Sequence, residues 1–390
     1  MGESQKFIAE RFSHSEASAM LECANLAKKF NDVISFAIGD PDLDTPLMDI
    51  DQGVEYMKSH HYYHYGNPLG LQEFREEVVK EYRDDFSITL GLDNVMINSS
   101  ATHGMMLALT ATINPDDEVL LLSPYFTPYK QQVEMVHGKV VEVPLSPDNG
   151  WQINLDVLER YITPKTKGLI LNTPQNPLGV CLTAESLAKI AKFAEIHDLI
   201  IYADEIYTIY SYEHPFIPLI SFNGMLKRTI TIRSCSKDYC MTGSRIGYTI
   251  ADSELIEKMN EVNESYIYTA PMMSQCIGLM ALRNRALTRK GIREEFYKRM
   301  NVCYDRIKKI PVLNALKPQG SFYIFMDIRK TGLNSLDFTK MLLERYHLLV
   351  LPGDSFGQGG EGFVRMAITL NTDKINEAFD RIDRDPFWIK

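Results

Sequence analysis

The chain has 390 residues, of which 45% are hydrophobic and 24% are charged, and its net charge at pH 7 is −10. A chain of this length exceeds what one hydrophobic core usually supports, so we expect two domains, and the composition excludes a disordered or fibrous protein. The acidic excess argues against a nucleic-acid or anionic-membrane partner, because such partners select basic surfaces.

The N-terminal part of the chain shows neither an export signal nor a metal site. The opening stretch MGESQKFIAERFSHSEAS lacks the apolar core of a signal peptide, and residues 17–29 have the spacing of a helix. The cluster HHYYH (60–64) lacks a Cys or Glu ligand pattern, and the six cysteines of the chain form no CxxC pair. We therefore predict a cytoplasmic protein with free thiols and no metal.

Short runs rich in apolar and β-branched residues then alternate with longer segments of helical period, which is typical of an α/β protein with a mainly parallel sheet. The predicted strands are 95–98, 118–123, 139–145, 168–172, 199–204, 229–233 and 247–251. Between them, 102–113 and 183–198 carry apolar residues at helical spacing, with Ser100 and Thr183 as N-caps.

The pattern changes near residue 281. A long charged helical region runs to residue 309, and it is followed by GSFYIFMDI, a further helix and the strand-like FVRMAIT. We expect this part of the chain to form a second, smaller α/β layer together with the N-terminal segment. The predicted domains are a large domain over 46–283 and a discontinuous small domain made of 1–45 and 284–390.

Residues suited to binding an anion follow the first predicted strand of the sheet. Chemistry in parallel α/β sheets gathers beyond the carboxyl ends of the strands. There Ser100, Ala101 and Thr102 place backbone amides at a helix N-terminus, which suits a phosphate, although such a turn is more often only a capped helix start. No GxGxxG or GxxxxGK[ST] loop is present, which disfavours a nucleotide.

Three further strand ends carry side chains of interest. Phe126 lies at a loop tip, where an aromatic is usually core but can also stack on a flat ring. Asn176 lies between two prolines, a pattern that by itself indicates only a stiff turn. Asp204 ends an apolar strand, and an acid there is costly to bury without a cation opposite it.

The predicted strand 229–233 is followed by Ser234 and Lys237, with Arg245 eight positions after the lysine. A lysine chosen at random is usually a solvated surface residue. However, a phosphate cradle, an aromatic face, a buried acid and a lysine at the strand ends of one sheet match pyridoxal phosphate. This cofactor needs a lysine for its Schiff base, an acid at its ring nitrogen, amides for its phosphate and an aromatic face for its ring.

Longer stretches resemble the motifs of class I pyridoxal phosphate-dependent aminotransferases, the aspartate aminotransferase-like group of fold type I. The matching stretches, in family order, are IGDPDLDTP, YGNPLGLQEFREEV, NTPQNPLG, ADEIY, SCSKDYCMTGSRIGY and FVRMAIT. The resemblance runs from about residue 30 to the C-terminus. It implies an α/β fold type I transferase, with a mainly parallel seven-stranded sheet between helices in the large domain and a smaller α/β domain.

The resemblance implies roles for the residues nearest the cofactor ring. Lys237 would form the Schiff base and Asp204 would pair with the pyridinium nitrogen, while Tyr207 and Asn176 would hydrogen-bond the phenolic oxygen. Lys237, Asp204 and Tyr207 are therefore the predicted catalytic residues. Partial burial and the nearby Arg245 would lower the pKa of Lys237, so that its amine can be neutral for part of the cycle.

The same resemblance implies the remaining contacts. The phosphate would be held by Ser100, Ala101, Thr102, Ser234 and Arg245, and by Tyr65 from the other subunit of a homodimer. Phe126 falls where the family stacks an aromatic on the ring. Arg365 would clamp the substrate α-carboxylate as a bidentate fork, helped by Asn176 and Gly39.

The implied function is a pyridoxal phosphate-dependent aminotransferase, which moves an amino group from an L-amino acid to a 2-oxo acid by a ping-pong aldimine/ketimine mechanism. A cystathionine β-lyase-like carbon–sulfur lyase shares nearly all of these contacts, although MTGxRIGY and DEIY favour the aminotransferase. A cofactor-binding regulator would need a winged-helix module, for which the residues before Gly39 are too few. A nucleotide-binding dehydrogenase lacks its glycine fingerprint here.

Three residues depart from the family motifs. Ser244 replaces a tryptophan, Leu178 replaces a threonine and Cys235 lies close to the lysine. None of the three removes a group that the chemistry needs. No residue is identified that binds a carboxylate on the substrate side chain, so the sequence leaves the amino donor and acceptor open.

Overall fold

The structure is a computed structural model that describes residues 3–9, 19–383 and 385–389. Its strands are β1 (Ile34–Ser35), β2 (Val95–Asn98), β3 (Glu118–Ser123), β4 (Lys139–Pro144), β5 (Thr166–Asn172), β6 (Ile200–Asp204), β7 (Thr229–Ser234), β8 (Gly247–Ile250), β9 (Tyr323–Asp327), β10 (Leu348–Leu349), β11 (Leu351–Pro352) and β12 (Phe363–Ala367). Its α-helices are α1 (Ala19–Ala27), α2 (Leu47–Ser59), α3 (Gln72–Phe86), α4 (Ala101–Thr112), α5 (Pro128–Met135), α6 (Leu155–Glu159), α7 (Ala184–Ile196), α8 (Cys235–Asp238), α9 (Ser253–Tyr266), α10 (Met272–Arg283), α11 (Arg285–Ile307), α12 (Ser335–Tyr346) and α13 (Thr372–Ile382).

The larger sheet has seven strands in the order β2–β8–β7–β6–β5–β3–β4. Strand β8 is antiparallel to both of its neighbours, and the other pairs are parallel. The carboxyl ends of the parallel strands therefore meet at one edge, where the loops that follow β2, β3, β6 and β7 converge. This arrangement confirms the predicted mainly parallel α/β fold.

Both faces of this sheet are buried under helices, because successive residues of a strand point to opposite faces. On one face, Leu120 belongs to a core cluster that includes Ile190 of α7. On the other face, Leu121 belongs to a cluster that includes Leu109 of α4. Burying a leucine or isoleucine side chain contributes about 1.5–3 kcal/mol, so these two layers hold the strand ends in fixed positions.

A second core lies around the antiparallel sheet β11–β12–β9. The long helix α11 presents Phe296, Met300 and Cys303, at helical spacing, to Ile324 and Met326 of β9. The two-stranded parallel ladder of β1 and β10 ties the N-terminal part of the chain to this layer. Because side chains alternate along β12, Arg365 lies on the opposite face of the small sheet from Val364 and Met366.

The predicted strands agree closely with the observed ones. The largest difference is at β5, which starts at Thr166 where residue 168 was predicted, because two polar residues extend the apolar run. Both predicted N-caps are confirmed. The amide of His103 donates to Ser100 Oγ over 3.0 Å, and the amide of Ser186 donates to Thr183 Oγ1 over 3.1 Å.

Two predicted helices differ from the observed ones. The helical region predicted from 281 to 309 is divided between α10 and α11, because the chain turns at Asn284, whose Nδ2 donates to Asp49 Oδ1 over 2.7 Å. The helix predicted over 17–29 is observed as α1, and residues 17 and 18 lie outside the described part. Within the described ranges, no helix combines the length and the apolar character needed to span a bilayer.

Candidate active site

A cleft of about 380 Å³ opens at the carboxyl ends of the parallel strands and extends to the small sheet. It brings together most of the site residues predicted from the sequence. Those that line it are Gly39, Ser100, Ala101, Thr102, Phe126, Asp204, Tyr207, Ser234, Lys237, Arg245 and Arg365. They come from segments that are far apart in the chain, and the sheet topology is what makes them neighbours.

Lys237 is carried by the one-turn helix α8, which begins at the end of β7. Ser234 caps this turn by accepting a hydrogen bond from the amide of Ser236 over 3.0 Å. The Lys237 ammonium donates to the backbone oxygen of Gly39. The pKa of Lys237 is lowered to about 8, mainly because the amine is buried. The charge of Asp40 raises this pKa, and the charge of Arg245 lowers it by a smaller amount. The expected direction of this pKa shift is confirmed.

Four charged side chains, three of them buried, hold the turn that carries Lys237. Arg233 lies 3.4 Å from both Glu81 and Asp238, and Arg289 pairs with Glu81 from the long helix α11. The Tyr210 hydroxyl also donates to the backbone oxygen of Lys237 over 2.8 Å. Because removing one partner of such a network leaves an unpaired buried charge, typically at a cost of about 3–5 kcal/mol, the lysine is carried on a rigid support.

Asp204 ends β6 and is 5% exposed. The Tyr129 hydroxyl donates to its Oδ2, and its Oδ1 is buried without a hydrogen-bond partner. Burial raises the pKa of Asp204 to about 6, although the hydrogen bond from Tyr129 acts in the opposite direction. Within the described residues no cation forms an ion pair with this carboxylate, so the positive partner expected from the sequence is not supplied by a neighbouring side chain.

The turn between β2 and α4 faces the cleft with backbone amides. Ala101 and Thr102 form the start of α4, where a helix offers no acceptor of its own for its first amides. Arg245 contributes a guanidinium to the same cleft, and its Nη1 donates to the backbone oxygen of Thr242 over 2.9 Å. Together with the macrodipole of α4, these groups favour an anion at this end of the cleft.

Arg365 is 5% exposed and lines the cleft from β12 of the small sheet. Its guanidinium carbon is 4.7 Å from the centroid of the Tyr323 ring and 4.8 Å from that of Phe356. Nη1 donates to Asn176 Oδ1 over 3.2 Å, and Nη2 donates to the backbone oxygen of Ala37. A guanidinium has five N–H donors, so donors remain for a carboxylate.

Position 39 requires a glycine, because its backbone lies close to the Tyr323 side chain. A Cβ at this position would lie 1.9 Å from the Tyr323 hydroxyl oxygen, so a side chain would displace that ring. The Tyr323 hydroxyl is also 3.2 Å from the hydroxyl of Tyr207, which is buried at the base of the cleft. Burial raises the pKa of Tyr207 well above its usual value, so this phenol is neutral and acts as a hydrogen-bonding group.

Two predicted residues do not line the cleft of their own chain. Asn176 is buried, and its Oδ1 accepts the hydrogen bond from Arg365 Nη1. Tyr65 is 86% exposed, lines a separate groove near Tyr62 and packs edge-on against Tyr268 with ring centroids 5.7 Å apart.

Sequence reasoning missed two aromatic residues of the site. Tyr129 binds Asp204, and Tyr323 packs against Arg365. Tyr129 lies in the same PYFTPY stretch as Phe126, one helical turn further on, which was a usable signal. Tyr323 lies in the stretch GSFYIFMDI, to which no role was assigned, and nothing in its local sequence indicates that it faces the cleft. Of the three residues that differ from the family motifs, Leu178 and Cys235 are buried in hydrophobic core clusters.

The site residues fit pyridoxal phosphate. The buried Oδ1 of Asp204 lacks a partner, as expected of a group that meets a cationic ring nitrogen. The Lys237 amine, with its lowered pKa, lines the same cleft. The amides that begin α4 and the Arg245 guanidinium suit a phosphate dianion, so the cleft matches the ring, the aldehyde and the phosphate of the cofactor.

Comparisons with known proteins extend over almost the whole chain. The family model described as "Aminotransferase class I and II" matches residues 31–382. The aromatic-amino-acid aminotransferase 2 of Thermococcus litoralis is 34% identical and the aspartate aminotransferase of Pyrococcus abyssi is 35% identical, each over 97% of both chains. The solved structure of a Thermus thermophilus aspartate aminotransferase with maleate is 27% identical, with a TM-score of 0.90 over 97% of this chain and 99% of that one.

Proposed function

The chain belongs to the class I and II aminotransferase family, and from this premise we propose how the residues of its cleft carry out the reaction. The protein is a pyridoxal phosphate-dependent aminotransferase, which moves an amino group from an amino acid to a 2-oxo acid. The relatives described above are named as aminotransferases, and the β-lyase alternative gains no support from them. The proposal rests on one observation: the Lys237 amine and the unpartnered Asp204 Oδ1 belong to one cleft.

When bound, pyridoxal phosphate supplies an aldehyde that takes up the amino group and a ring that withdraws electrons from the substrate Cα. Asp204 would hold the ring nitrogen protonated, and Tyr207 and Asn176 would hydrogen-bond the phenolic oxygen. Ser100, Ala101, Thr102, Ser234 and Arg245 would hold the phosphate, and Phe126 would cover a ring face. These assignments are supported by the lining of the cleft and by the partners of Asp204 and Arg365.

Arg365 binds the substrate α-carboxylate with its remaining N–H donors, next to Asn176 and the backbone of Gly39. With the cofactor bound, the Nζ of Lys237 would take the proton from the substrate Cα, which requires the neutral amine. The same residues act in reverse order on a 2-oxo acid, which gives ping-pong kinetics. Burial of Arg365 between Tyr323 and Phe356 fixes the orientation of the fork before the substrate arrives.

The role of Arg365 is tested by Arg365→Lys. A lysine keeps the charge but loses the planar fork, so we expect kcat/KM for the amino acid to fall by roughly 30- to 1000-fold, equivalent to about 2–4 kcal/mol. The cofactor should stay covalently bound, as judged by borohydride reduction and mass spectrometry. Arg381→Lys, on the surface helix α13, is the matched control and should leave the kinetics unchanged. An unchanged kcat/KM in Arg365→Lys would contradict the proposal that Arg365 binds the substrate α-carboxylate.

We propose that the protein is a homodimer with shared active sites, in which the partner subunit's Tyr65 reaches the phosphate. The support is that Tyr65 is exposed near other exposed apolar residues, Tyr63, Tyr268 and Met273. Exposed apolar surface of this kind is characteristic of an interface between protein chains. Tyr65 also lies outside the cleft of its own chain, so a contact with the phosphate requires a second subunit.

Subunit mixing tests the shared site. Lys237→Ala and Tyr65→Ala each damage both sites of their own homodimer, but a heterodimer contains one site with Lys237 and Tyr65 both intact. At limiting cofactor, co-expression of the two variants should restore about a quarter of the sites if subunits pair at random. Each variant co-expressed with itself is the control. A mixture no more active than the sum of its components would contradict the shared site.

We also propose that residues 46–283 form a large domain and that residues 1–45 and 284–390 together form a small domain. It is supported by the separate core around the small sheet and by the junction of α10 and α11 at Asn284. A cytoplasmic location is proposed because the six cysteines are free, buried thiols, which suits a reducing compartment.

A further inference from the structure

The Tyr323 hydroxyl has no role in the proposed function, although Tyr323 lines the cleft and is only 3% exposed. Strand β9 carries this residue, and its pairing with β12 aligns Tyr323 with Ala367 and Phe325 with Arg365. Tyr323 therefore lies on the same face of the small sheet as Arg365. Its hydroxyl oxygen lies where a side chain at position 39 would begin, so Gly39 leaves the space that this hydroxyl occupies.

The Tyr323 hydroxyl contacts the hydroxyl of Tyr207, which follows strand β6 of the larger sheet. The two oxygens are 3.2 Å apart, and the two rings pack edge-on with their centroids 5.8 Å apart. Burial raises the pKa of both phenols, so both are neutral. Of the charged groups that face them, Asp204 also raises both pKa values and Arg365 lowers them. The two hydroxyls therefore share one hydrogen bond, in which either oxygen can be the donor.

The number of hydroxyl protons decides which of the two oxygens donates once the cofactor is bound. A neutral phenol has one proton to donate and an oxygen that can also accept. In the proposed function, the Tyr207 proton would go to the phenolic oxygen of the cofactor. Tyr207 then has no proton left for Tyr323, so the hydrogen bond between the two hydroxyls forms only if Tyr323 is its donor.

We propose that Tyr323 is a positioning residue, which donates its hydroxyl proton to the Tyr207 oxygen and thereby directs the Tyr207 proton to the phenolic oxygen of the cofactor. The inference rests on the proposed function and deepens it. Consecutive hydrogen bonds strengthen one another by roughly 10–30% per bond, so donation by Tyr323 makes Tyr207 a stronger donor. Both hydroxyls belong to one chain, so their contact does not depend on a second subunit.

A pH titration of the holoenzyme without substrate tests this donation, with the absorbance of the cofactor attached to Lys237 as the readout. A hydrogen bond to the phenolic oxygen withdraws negative charge from it, so the attached Lys237 nitrogen holds its proton less tightly. Tyr207→Phe should therefore raise the apparent pKa of the absorbance change by about 1–2 units, and Tyr323→Phe by about 0.2–0.5 unit. When Tyr207→Phe is already present, Tyr323→Phe should add no shift, because the hydrogen bond between the two hydroxyls is already lost.

Tyr323→Phe keeps the ring that packs against Arg365, so the comparison isolates the hydroxyl. Tyr346→Phe is the matched control and should leave the apparent pKa unchanged, because the buried Tyr346 donates to Asp385 over 2.7 Å and lies outside the cleft. An unchanged apparent pKa in Tyr323→Phe, or an equal shift with and without the Tyr207 hydroxyl, would overturn the inference while the proposed function stands. If borohydride reduction finds no cofactor on Lys237 in the wild type, both fail.

Discussion

Replacement of Lys237 by alanine is expected to lower kcat for transamination by at least about 10⁴-fold, because the variant loses both the covalent attachment of the cofactor and the base that moves the Cα proton. Borohydride reduction followed by peptide mass spectrometry should find an adduct at position 237 in the wild type and none in the variant. The cofactor should still bind, more loosely, through its phosphate and ring contacts.

Lys237→Ala should impair catalysis without unfolding the protein, because the contacts that hold α8 in place do not involve the side chain of Lys237. Arg233 and Thr208 hold α8 through the neighbouring Asp238, and the Tyr210 hydroxyl binds the backbone oxygen of residue 237. The variant should therefore keep the thermal midpoint of the wild type to within a few degrees. The control is Lys227→Ala, which removes an exposed lysine that precedes β7, whereas α8 follows the other end of that strand. Substantial transamination by Lys237→Ala would refute the assignment.

The pKa of Lys237 determines the pH at which this comparison is most informative. In the protein without cofactor, burial lowers that pKa to about 8, so the amine is mainly neutral above this pH and mainly protonated below it. Only the neutral amine can attack the aldehyde of added cofactor. Covalent capture by the wild type is therefore measured above pH 8, where the contrast with the variant is largest.

The sequence predicts the strands and the residues at their ends well, because both depend on local patterns. An apolar run such as EVLLLS determines that a strand forms, and Asp204 or Lys237 stands out because it ends such a run. The resemblance adds roles to these residues. The small neighbours of Lys237 and the Ser100 and Thr183 caps are likewise local features, and the structure agrees with both caps.

Contacts between distant segments could not be derived in this way. The hydrogen bond from Arg365 to Ala37 joins residues 328 positions apart, and the lining of the cleft combines Met20, Ile38 and Leu351 from separate segments. Hydrophobic periodicity gives the face on which a side chain lies, but not which loop lies opposite. The strand pattern likewise predicts a cation opposite Asp204, whereas the side chain that contacts its carboxylate is Tyr129, a neutral phenol.

Asp204→Asn is expected to lower kcat by roughly 10²–10³-fold, the scale typical of losing one preorganised electrostatic contact in an active site. The amide keeps the size of the carboxylate and can still accept the hydrogen bond from Tyr129, but it carries no charge to keep the ring nitrogen protonated. Because burial raises the pKa of Asp204 to about 6 before the cofactor binds, a cationic ring should lower that pKa again and keep the carboxylate ionised.

Covalent attachment of the cofactor distinguishes Asp204→Asn, which should retain it, from Lys237→Ala, which should not. Asp204→Asn should still give a borohydride-stable adduct at Lys237, while its absorbance spectrum and kcat both change. Tyr129→Phe is the matched control, since it removes the hydrogen bond to Asp204 and keeps the charge, and its kcat should fall by only about tenfold. A kcat in Asp204→Asn equal to that of the wild type would mean that the buried carboxylate does not face the ring nitrogen, and that its unpartnered Oδ1 has another cause.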